Sequence, residues 1–282
     1  MDRKILLGSD YDGTFRRYRD IPEPEDMEAV RRFRAAGGIF GIVTGRTPSE
    51  MTYLIDRFEE MCDFLLCGTG GICLFPDGTM ECMSEASSED LPELYRISRE
   101  CGARHCHSDA MSLQGYTTVA ELHDAFPGED KDASEQYFIN GYVDGVPHNV
   151  CVTPEAMKGI RGFTQYTAYF EGNEDCRRTI DAINAAFPGK YDCHYLGVGF
   201  DMTLAGVNKP AGLARIAAHF GVAKEDIYTA GDGWNDLEML KAYNGISMSG
   251  TAQEIMDSAK WVYDSVGEAI YSLFGIVSPE ER

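Results

Sequence analysis

Polar side chains that could bind or transfer a phosphoryl group follow three short apolar runs of this sequence. The run 4–9 ends at Asp10 and Asp12, and the run 39–43 ends at Thr44. The run 227–230 leads into three further polar residues, Asp232, Asn235 and Asp236. Ligands of an open parallel sheet bind at the carboxyl ends of its strands. We therefore expect four carboxylates and a hydroxyl to face one crevice.

Four carboxylates in one crevice would repel one another unless a cation lay among them. A site made of oxygen atoms suits a hard divalent cation, and Mg²⁺ is the usual ion where phosphate also binds. The formal net charge of −21, from 25 Lys and Arg against 46 Asp and Glu, repels anions as a whole. The sequence thus predicts a local magnesium site that draws in a small phosphorylated molecule, and it disfavours nucleic acid as a partner.

Alternating strands and helices are predicted to carry these residues. The segment 25–36 has apolar residues on successive turns and stops at Gly37, so it is a helix between the strands 4–9 and 39–43. Such a βαβ unit has parallel strands and a right-handed crossover. The capping box at Thr47 predicts a further helix, with apolar residues at 51, 54, 55 and 58.

The composition of the sequence changes after a predicted hairpin at 72–83, where Glu, Tyr and His become more frequent. Residues 84–199 contain helical patterns at 89–101 and 174–187, and strand patterns at 137–143, 163–170 and 195–200. After them a helical stripe ends at Gly221, and a strand pattern at 227–230 resumes the βα alternation. We expect residues 1–83 and 200–282 to form one core, and residues 84–199 to form an inserted α+β domain.

Four short motifs follow one another in this order: Asp10-Tyr11-Asp12-Gly13-Thr14, Thr44-Gly45-Arg46, Lys209, and Gly231-Asp232-Gly233-Trp234-Asn235-Asp236. In order and spacing they resemble the motifs of haloacid dehalogenase-like hydrolases, and more narrowly those of the Cof-type sugar-phosphatase branch. In that branch a cap is inserted between the second and third motifs. The resemblance implies an α/β fold with a Rossmann-like parallel-sheet core and a C2-type α+β cap that sets substrate specificity.

The resemblance also implies roles for the acidic residues. Asp10 would attack phosphorus as the nucleophile and also bind the metal. Asp12 would be the general acid and base, with its backbone carbonyl on the metal, and Asp232 would be the third metal ligand. Asp236 would either orient Lys209 or reach the metal through water.

The remaining motif residues would bind the substrate. The Thr44 hydroxyl and the Gly45 amide would hold phosphate oxygens, and the Lys209 ammonium would neutralise charge in the transition state. Asn235 would contact phosphate or substrate. Arg46 would be either a structural ion-pair partner or a substrate contact.

Asp12 narrows the reaction class that the resemblance implies. Dehalogenase relatives have no acid two residues after the nucleophile, and transport ATPases have Thr there. We therefore expect a Mg²⁺-dependent phosphatase of small phosphomonoesters that works through a phospho-aspartyl intermediate. One alternative is a phosphomutase or phosphotransferase. The other is a non-enzymatic phospho-acceptor switch, and the large insert and Asp12 argue against that second alternative.

Two positions depart from the family pattern. Pro210 follows Lys209 where relatives often have Gly, which is harmless if it opens a helix. Thr69-Gly70-Gly71 stands in place of an Asn-Gly-Ala run, so substrate contacts do not carry over to that loop. We read this loop as a tight turn, since a hairpin rather than a helix follows it.

The cysteines and the N-terminal residues indicate the cellular compartment in which the protein is expected. Nine cysteines without a CxxC pair, in a chain of this size, favour reduced thiols and the cytosol. No signal-peptide or membrane-spanning run is predicted. Cys101, His105, Cys106 and His107 lack the paired spacing of a zinc site, and they are expected to be structural or surface residues, as is His123.

Overall fold

The computed structural model describes residues 3–18, 21–51, 54, 57–112, 117–121, 142–143, 146–147, 149–151 and 160–278. The chain divides into two compact units. The first comprises Met1–Thr44, Tyr53–Glu81 and Asn208–Arg282, and the second comprises Gly45–Thr52 and Cys82–Val207.

The strands are numbered along the chain: β1 Leu6–Ser9, β2 Ile39–Val43, β3 Phe64–Cys67, β4 Ile72–Leu74, β5 Met80–Cys82, β6 Ala86–Ser87, β7 His105–Ser112, β8 Thr117–Glu121, β9 Tyr142–Val143, β10 Val146–Pro147, β11 Asn149–Cys151, β12 Ile160–Tyr169, β13 Tyr191–Tyr195, β14 Gly199–Leu204, β15 Ile227–Gly231, β16 Asn244–Met248 and β17 Trp261–Tyr263. The α-helices are α1 Pro24–Ala35, α2 Phe58–Met61, α3 Leu91–Glu100, α4 Asn173–Ala186, α5 Lys209–Phe220, α6 Leu237–Ala242, α7 Gln253–Ser258 and α8 Val266–Phe274.

A mostly parallel sheet forms the centre of the first unit. Its strand order is β17-β16-β15-β1-β2-β3-β4-β5, and the pairs from β17 to β3 are parallel, whereas β4 runs antiparallel to β3. Every residue of β1 is buried, as expected for an apolar strand inside a parallel sheet. The predicted βαβ unit and the Rossmann-like α/β core are confirmed.

Helix α5 has clear sequence signals at both ends. Asn208 caps it, because its side-chain Oδ1 accepts a hydrogen bond of 2.8 Å from the Ala211 amide, and Pro210 occupies the first turn. Gly221 ends the helix in the left-handed conformation with φ of 68°. This start places Lys209 at the first turn, so Pro210 is harmless here.

Two further predictions, for segments on either side of β3, have different outcomes. The hairpin is confirmed, since Gly78 adopts a φ of 83° in a turn between β4 and β5. The helix predicted after Thr47 is described only in part, as a 3-10 helix at Pro48–Met51 and as α2. Residues 52–53 and 55–56 lie outside the described residues.

The second unit contains a mostly antiparallel sheet, in which only the described pair β11–β8 is parallel, packed on two helices. β12 pairs with β7 on one side and β14 on the other, and β14 continues to β13. Helices α3 and α4 confirm the predicted helical segments. Buried apolar residues of α3, α4, β12 and β14 form its core: Leu94, Tyr95, Ile183, Phe163, Tyr166, Phe200 and Met202.

The strand predicted at 195–200 is wrong. The chain turns there, because Gly197 has a φ of 96° and the Leu196 amide donates to the Gly199 carbonyl at 2.8 Å. The turn separates β13 from β14. Since β14 pairs with β12, the second unit extends to Val207, beyond the boundary predicted at 199. The strand predicted at 163–170 is confirmed as β12, while most of 137–143 lies outside the described residues.

None of the helices that the structure describes has the length and apolar run that a bilayer span requires. Cysteines 62, 67, 73, 82, 101, 106, 176 and 193 carry free thiols. Burial raises the pKa of the Cys193 thiol to about 12 and that of Cys176 to about 11, which favours the thiol over the more reactive thiolate.

Candidate active site

A buried lysine joins two of the predicted aspartates. The Lys209 Nζ lies 2.7 Å from Asp10 Oδ1 and 2.6 Å from Asp236 Oδ1, and its side chain is fully buried. Asp10 directly follows β1, where its amide donates to the Ala230 carbonyl at 2.8 Å and so extends the pairing with β15. Strand ends and the first turn of α5 thus bring together residues almost 200 positions apart.

Asp236 holds both Lys209 and the loop after β15. Its Oδ1 accepts the lysine hydrogen bond, and its Oδ2 accepts from the amides of Asp232 at 3.1 Å and Gly233 at 2.9 Å. Both oxygens are therefore engaged within the protein. Of the two roles that the sequence left open for Asp236, this geometry favours the orientation of Lys209.

Asp232 is fixed by the motif that contains Asp10. The Thr14 Oγ1 donates a hydrogen bond of 2.6 Å to Asp232 Oδ1. Gly13 has a φ of 83°, and a Cβ at this position would lie 2.2 Å from Asp232 Oδ2. A side chain at residue 13 would displace this carboxylate. Thr14 and Gly13 are thus supporting residues that the sequence analysis quoted within a motif without assigning them a role.

The Asp12 carboxylate pairs with Arg16, a residue that was not predicted from the sequence. Arg16 Nε donates to Asp12 Oδ1 at 3.1 Å, and Arg16 Nη2 forms an ion pair with the same oxygen. The Arg16 guanidinium lies over the Tyr11 ring at 5.5 Å from its centroid, and the Arg16 amide donates to the Tyr11 carbonyl at 2.7 Å. The spacing of four residues between Asp12 and Arg16 was the sequence signal that could have predicted this ion pair.

Thr44 directly follows β2 and is held by β3 and by the loop after β3. Its amide donates to the Leu66 carbonyl at 2.9 Å, and its carbonyl accepts from the Thr69 amide at 3.1 Å. Thr69 has a φ of 52°, an uncommon conformation for a β-branched residue. A Cβ on Gly70 would lie 2.4 Å from the Asn208 carbonyl oxygen, so this loop packs directly against the start of α5.

Three further residues were predicted from the sequence: Asn235, Gly45 and Arg46. Asn235 is half-buried, beside Gly233. Gly45 and Arg46 are half-buried and belong to the second unit, where the Gly45 carbonyl accepts a hydrogen bond from Gln165. The structure therefore gathers Asp10, Lys209, Asp232 and Asp236 most tightly.

The charges of this group are unbalanced. Burial, and then the charge of Asp236, raise the pKa of the Asp10 carboxyl well above its usual value, although Lys209 lowers it. Burial also raises the pKa of Asp232. Burial alone would lower the pKa of Lys209, but the Asp10 and Asp236 carboxylates raise it and keep the ammonium charged. One ammonium thus faces three carboxylates.

The donor set fits a hard divalent cation. Oxygens of Asp10, Asp232 and Asp236 lie within 4.8 Å of one another, and oxygen ligands suit Mg²⁺. Since Asp236 already accepts three hydrogen bonds, Asp10 and Asp232 are the better side-chain ligands. Among the described residues, no such cluster includes Cys101, His105, Cys106 or His107, and His123 lies outside them.

A family model described as haloacid dehalogenase-like hydrolase matches residues 7–271. The stress response protein YhaX of Bacillus subtilis is 32% identical over 87 residues, which are 30% of this chain and 30% of that protein. An uncharacterized protein in the pdhA 5′ region of Geobacillus stearothermophilus is 35% identical over 72 residues, which are 25% of this chain and 76% of that protein. The match to YhaX thus spans less than a third of its length.

Nearly the whole chain is similar in fold to solved structures. The HAD subclass IIB sugar phosphatase BT4131 has a TM-score of 0.72 at 21% identity, with 97% of this chain and all of that chain covered. A haloacid dehalogenase-like hydrolase from B. subtilis has a TM-score of 0.77 at 16% identity, covering 95% and 99%. At these identities the likeness shows the fold. These structures share the fold of this chain, and the family model, which covers most of its length, shows that the chain belongs to the haloacid dehalogenase-like hydrolases.

Proposed function

We propose that this protein is a magnesium-dependent phosphatase of small phosphomonoesters, such as sugar phosphates, which forms a phospho-aspartate on Asp10. The observation that carries the proposal is the buried Asp10 carboxylate at a strand end, held at 2.7 Å by Lys209 beside Asp232. A carboxylate fixed next to a permanent cation is suited to attack an anionic phosphoryl group. The solved relative named a sugar phosphatase supports this substrate class.

In the first half-reaction, an Asp10 oxygen attacks phosphorus and the bond from phosphorus to the leaving oxygen breaks. The Thr44 hydroxyl and the Gly45 amide bind the phosphoryl oxygens, and Lys209 stabilises their developing charge. Asn235 contacts the phosphate or the substrate, and Arg46 takes part as a supporting residue.

Asp12 moves the protons of both half-reactions. It first gives a proton to the leaving oxygen, and then takes one from the water that attacks phosphorus and displaces the Asp10 carboxylate. Arg16 positions the Asp12 side chain for these transfers, through the Nε contact of 3.1 Å.

Asp10, Asp232 and the backbone carbonyl of Asp12 would hold Mg²⁺. When bound, the ion polarises the phosphoryl group and offsets the charge of the carboxylates. Asp236 keeps Lys209 in place, and Thr14 keeps Asp232 in place. The second unit would serve as the cap that selects substrates, and the free thiols suit the reducing cytosol.

The decisive experiment traps the intermediate in an Asp12→Asn variant. The leaving group of an activated aryl phosphoester needs little protonation. In this variant, transfer of the phosphoryl group to Asp10 should therefore be slowed less than hydrolysis of the phospho-aspartate, which needs a general base. Intact mass after brief incubation with Mg²⁺ and an acid quench should show one added phosphoryl group. The Asp12→Asn/Asp10→Asn double variant should show none.

Two results would contradict this proposal. Normal turnover by Asp12→Asn would exclude Asp12 as the acid and base, and so would a defect confined to weaker Mg²⁺ binding. Release of inorganic phosphate from the wild-type protein distinguishes a phosphatase from a phosphomutase or phosphotransferase, which would pass the group to a second hydroxyl.

A further inference from the structure

A buried carboxylate that the proposed mechanism does not use lies in the first turn of α1. Asp26 is only 1% exposed. Its Oδ1 accepts a hydrogen bond of 2.8 Å from the Gly267 amide, and its Oδ2 pairs with Arg17 Nη2 at 2.9 Å. A Cβ at Gly267 would lie 2.6 Å from Asp26 Oδ1, so the first turn of α8 packs directly against this carboxylate. Asp26 therefore joins α1, α8 and Arg17.

The Arg17 guanidinium makes a second contact with the start of α8. Its Nη1 donates to the carbonyl of Asp264, which lies between β17 and α8. Its Nε is buried and has no acceptor in the part of the chain that the structure describes, so the hydrogen bonds that orient the guanidinium come from the two Nη atoms. Arg17 thus fastens the segment after the first motif to the starts of both helices.

A buried ion pair of this kind fixes geometry more than it adds stability. Taking two charges out of water costs about as much free energy as their attraction returns, so an apolar pair of similar volume is often as stable. The ion pair differs from an apolar pair in its directionality, because the guanidinium hydrogens must point at the carboxylate oxygens. The Arg17–Asp26 pair is therefore suited to hold the backbone of residue 17 in one position.

The peptide unit before Arg17 belongs to the turn that carries Asp12. The Arg16 carbonyl, in the peptide bond to Arg17, accepts from the Gly13 amide at 2.9 Å, and the Arg16 amide donates to the Tyr11 carbonyl at 2.7 Å. The Arg16 side chain in turn binds Asp12 Oδ1. Consecutive Cα atoms are held about 3.8 Å apart, so a shift of Arg17 moves Arg16 and strains both backbone hydrogen bonds.

We infer that Arg17 and Asp26 are positioning residues for Asp12. They hold the turn 11–16 from the side of α1 and α8, and Arg16 passes that position on to the Asp12 carboxylate. The inference rests on the proposed function, in which Asp12 is the general acid and base. A general base acts only within hydrogen-bond reach of its proton, and a misplacement of about 1 Å can slow a reaction by about 100-fold.

The test separates the two half-reactions with one substrate, 4-nitrophenyl phosphate, at saturating Mg²⁺. Its leaving group needs little protonation, so transfer of the phosphoryl group to Asp10 depends little on Asp12, whereas hydrolysis of the phospho-aspartate needs Asp12 as the base. Rapid acid quench and intact mass measure both steps. Arg17→Met should slow hydrolysis by about 10-fold and change transfer by less than about 2-fold. Accordingly, kcat should fall while kcat/KM is kept, and phosphorylated protein should accumulate.

Two further variants distinguish positioning from stability. Arg31→Met is the matched control, because Arg31 pairs with Glu28 on the exposed side of α1, and it should keep both steps at the wild-type rate. Arg17→Met leaves the Asp26 carboxylate buried without its cation, which destabilises the fold. Arg17→Met/Asp26→Asn removes that charge, while the Asn oxygen still accepts from the Gly267 amide. The double variant should melt closer to the wild-type temperature and still hydrolyse the phospho-aspartate slowly.

The outcomes separate this inference from the proposed function. If the wild-type protein releases phosphate and the double variant hydrolyses its phospho-aspartate at the wild-type rate, the positioning role is overturned and the phosphatase stands. Equal losses of kcat and kcat/KM in the double variant would also overturn the positioning role, because a loss of folded protein lowers both alike. A wild-type protein that forms no phospho-aspartate would overturn the proposed function and this inference with it.

Discussion

The two units bury their polar groups in different ways. In the first unit, the ammonium of Lys209 lies between the carboxylates of Asp10 and Asp236, and contacts of 2.7 and 2.6 Å join them. In the second unit, Gln165 and Thr167 form a chain of hydrogen bonds, and one amide oxygen is left unsatisfied. In the proposed function, the first unit acts on the phosphoryl group that every substrate shares, whereas the second unit selects among substrates. Substitutions in the first unit should therefore affect all substrates alike.

The largest effect is expected for Asp10→Asn. Loss of the carboxylate proposed as the nucleophile should lower kcat by about 10⁴-fold or more with every phosphomonoester tested, because an amide does not attack phosphorus as a carboxylate does. Asp257→Asn, on the exposed side of α7, is the control and should retain wild-type turnover. Residual turnover that differed between substrates would break the contrast between the two units.

Lys209→Met should impair both catalysis and stability. It leaves the Asp10 and Asp236 carboxylates without their buried partner, which costs about 3–5 kcal/mol when one member of a buried ion pair is removed. Urea unfolding in excess chelator should show this loss, and Mg²⁺ should reduce it, since the ion offsets the same carboxylates. Lys241→Met, at an exposed position of α6, should change little. A loss that Mg²⁺ left untouched would contradict a cation site here.

His107 should make the second unit sensitive to acid. Burial, and then the nearby His105, lower the pKa of His107 to about 3 from an ordinary value of 6.5. The unfolded chain therefore binds the extra proton between these values, so stability is full above about pH 6.5 and falls by up to about 1.4 kcal/mol per pH unit below it.

Hydrogen exchange of β7 amides across pH 7 to 4 measures this dependence. His107→Phe should flatten the profile, because the titrating group is gone. His219→Phe, at an exposed position of α5, should leave it unchanged. An unaltered slope in His107→Phe would assign the acid sensitivity to another group.

The smallest effect is expected for Gly197→Ala in the turn between β13 and β14. Gly197 has a φ of 96°, and space is open around its Cβ position, so the penalty of about 1 kcal/mol is purely conformational. Gly172→Ala is the matched control, since it also has open space but a φ of −142°. The first variant should melt at a lower temperature than the second, with kcat unchanged in both. Equal melting temperatures would argue against the turn.

Much of the first unit followed from local patterns. Apolar runs that end in polar residues predicted β1, β2 and β15, because a strand buried on both faces must be apolar and its end must not be. Pro210 and Gly221 marked the ends of α5. The second unit was harder to predict from its sequence. A run with alternating apolar residues at 195–200 predicted one strand, but the left-handed conformation of Gly197 turns the chain and makes two.

The sequence by itself determined which residue types stand at the strand ends, and hence the chemistry open to Asp10, Asp12 and Asp232. Only the tertiary structure decided their partners: Asp236 with Lys209, Thr14 with Asp232, and Arg16 with Asp12. It also placed Gln165 against Gly45, 120 positions away. The reason is physical, since local periodicity records which face a side chain occupies, whereas a hydrogen bond between distant residues depends on how the strands that carry them are ordered in the sheets.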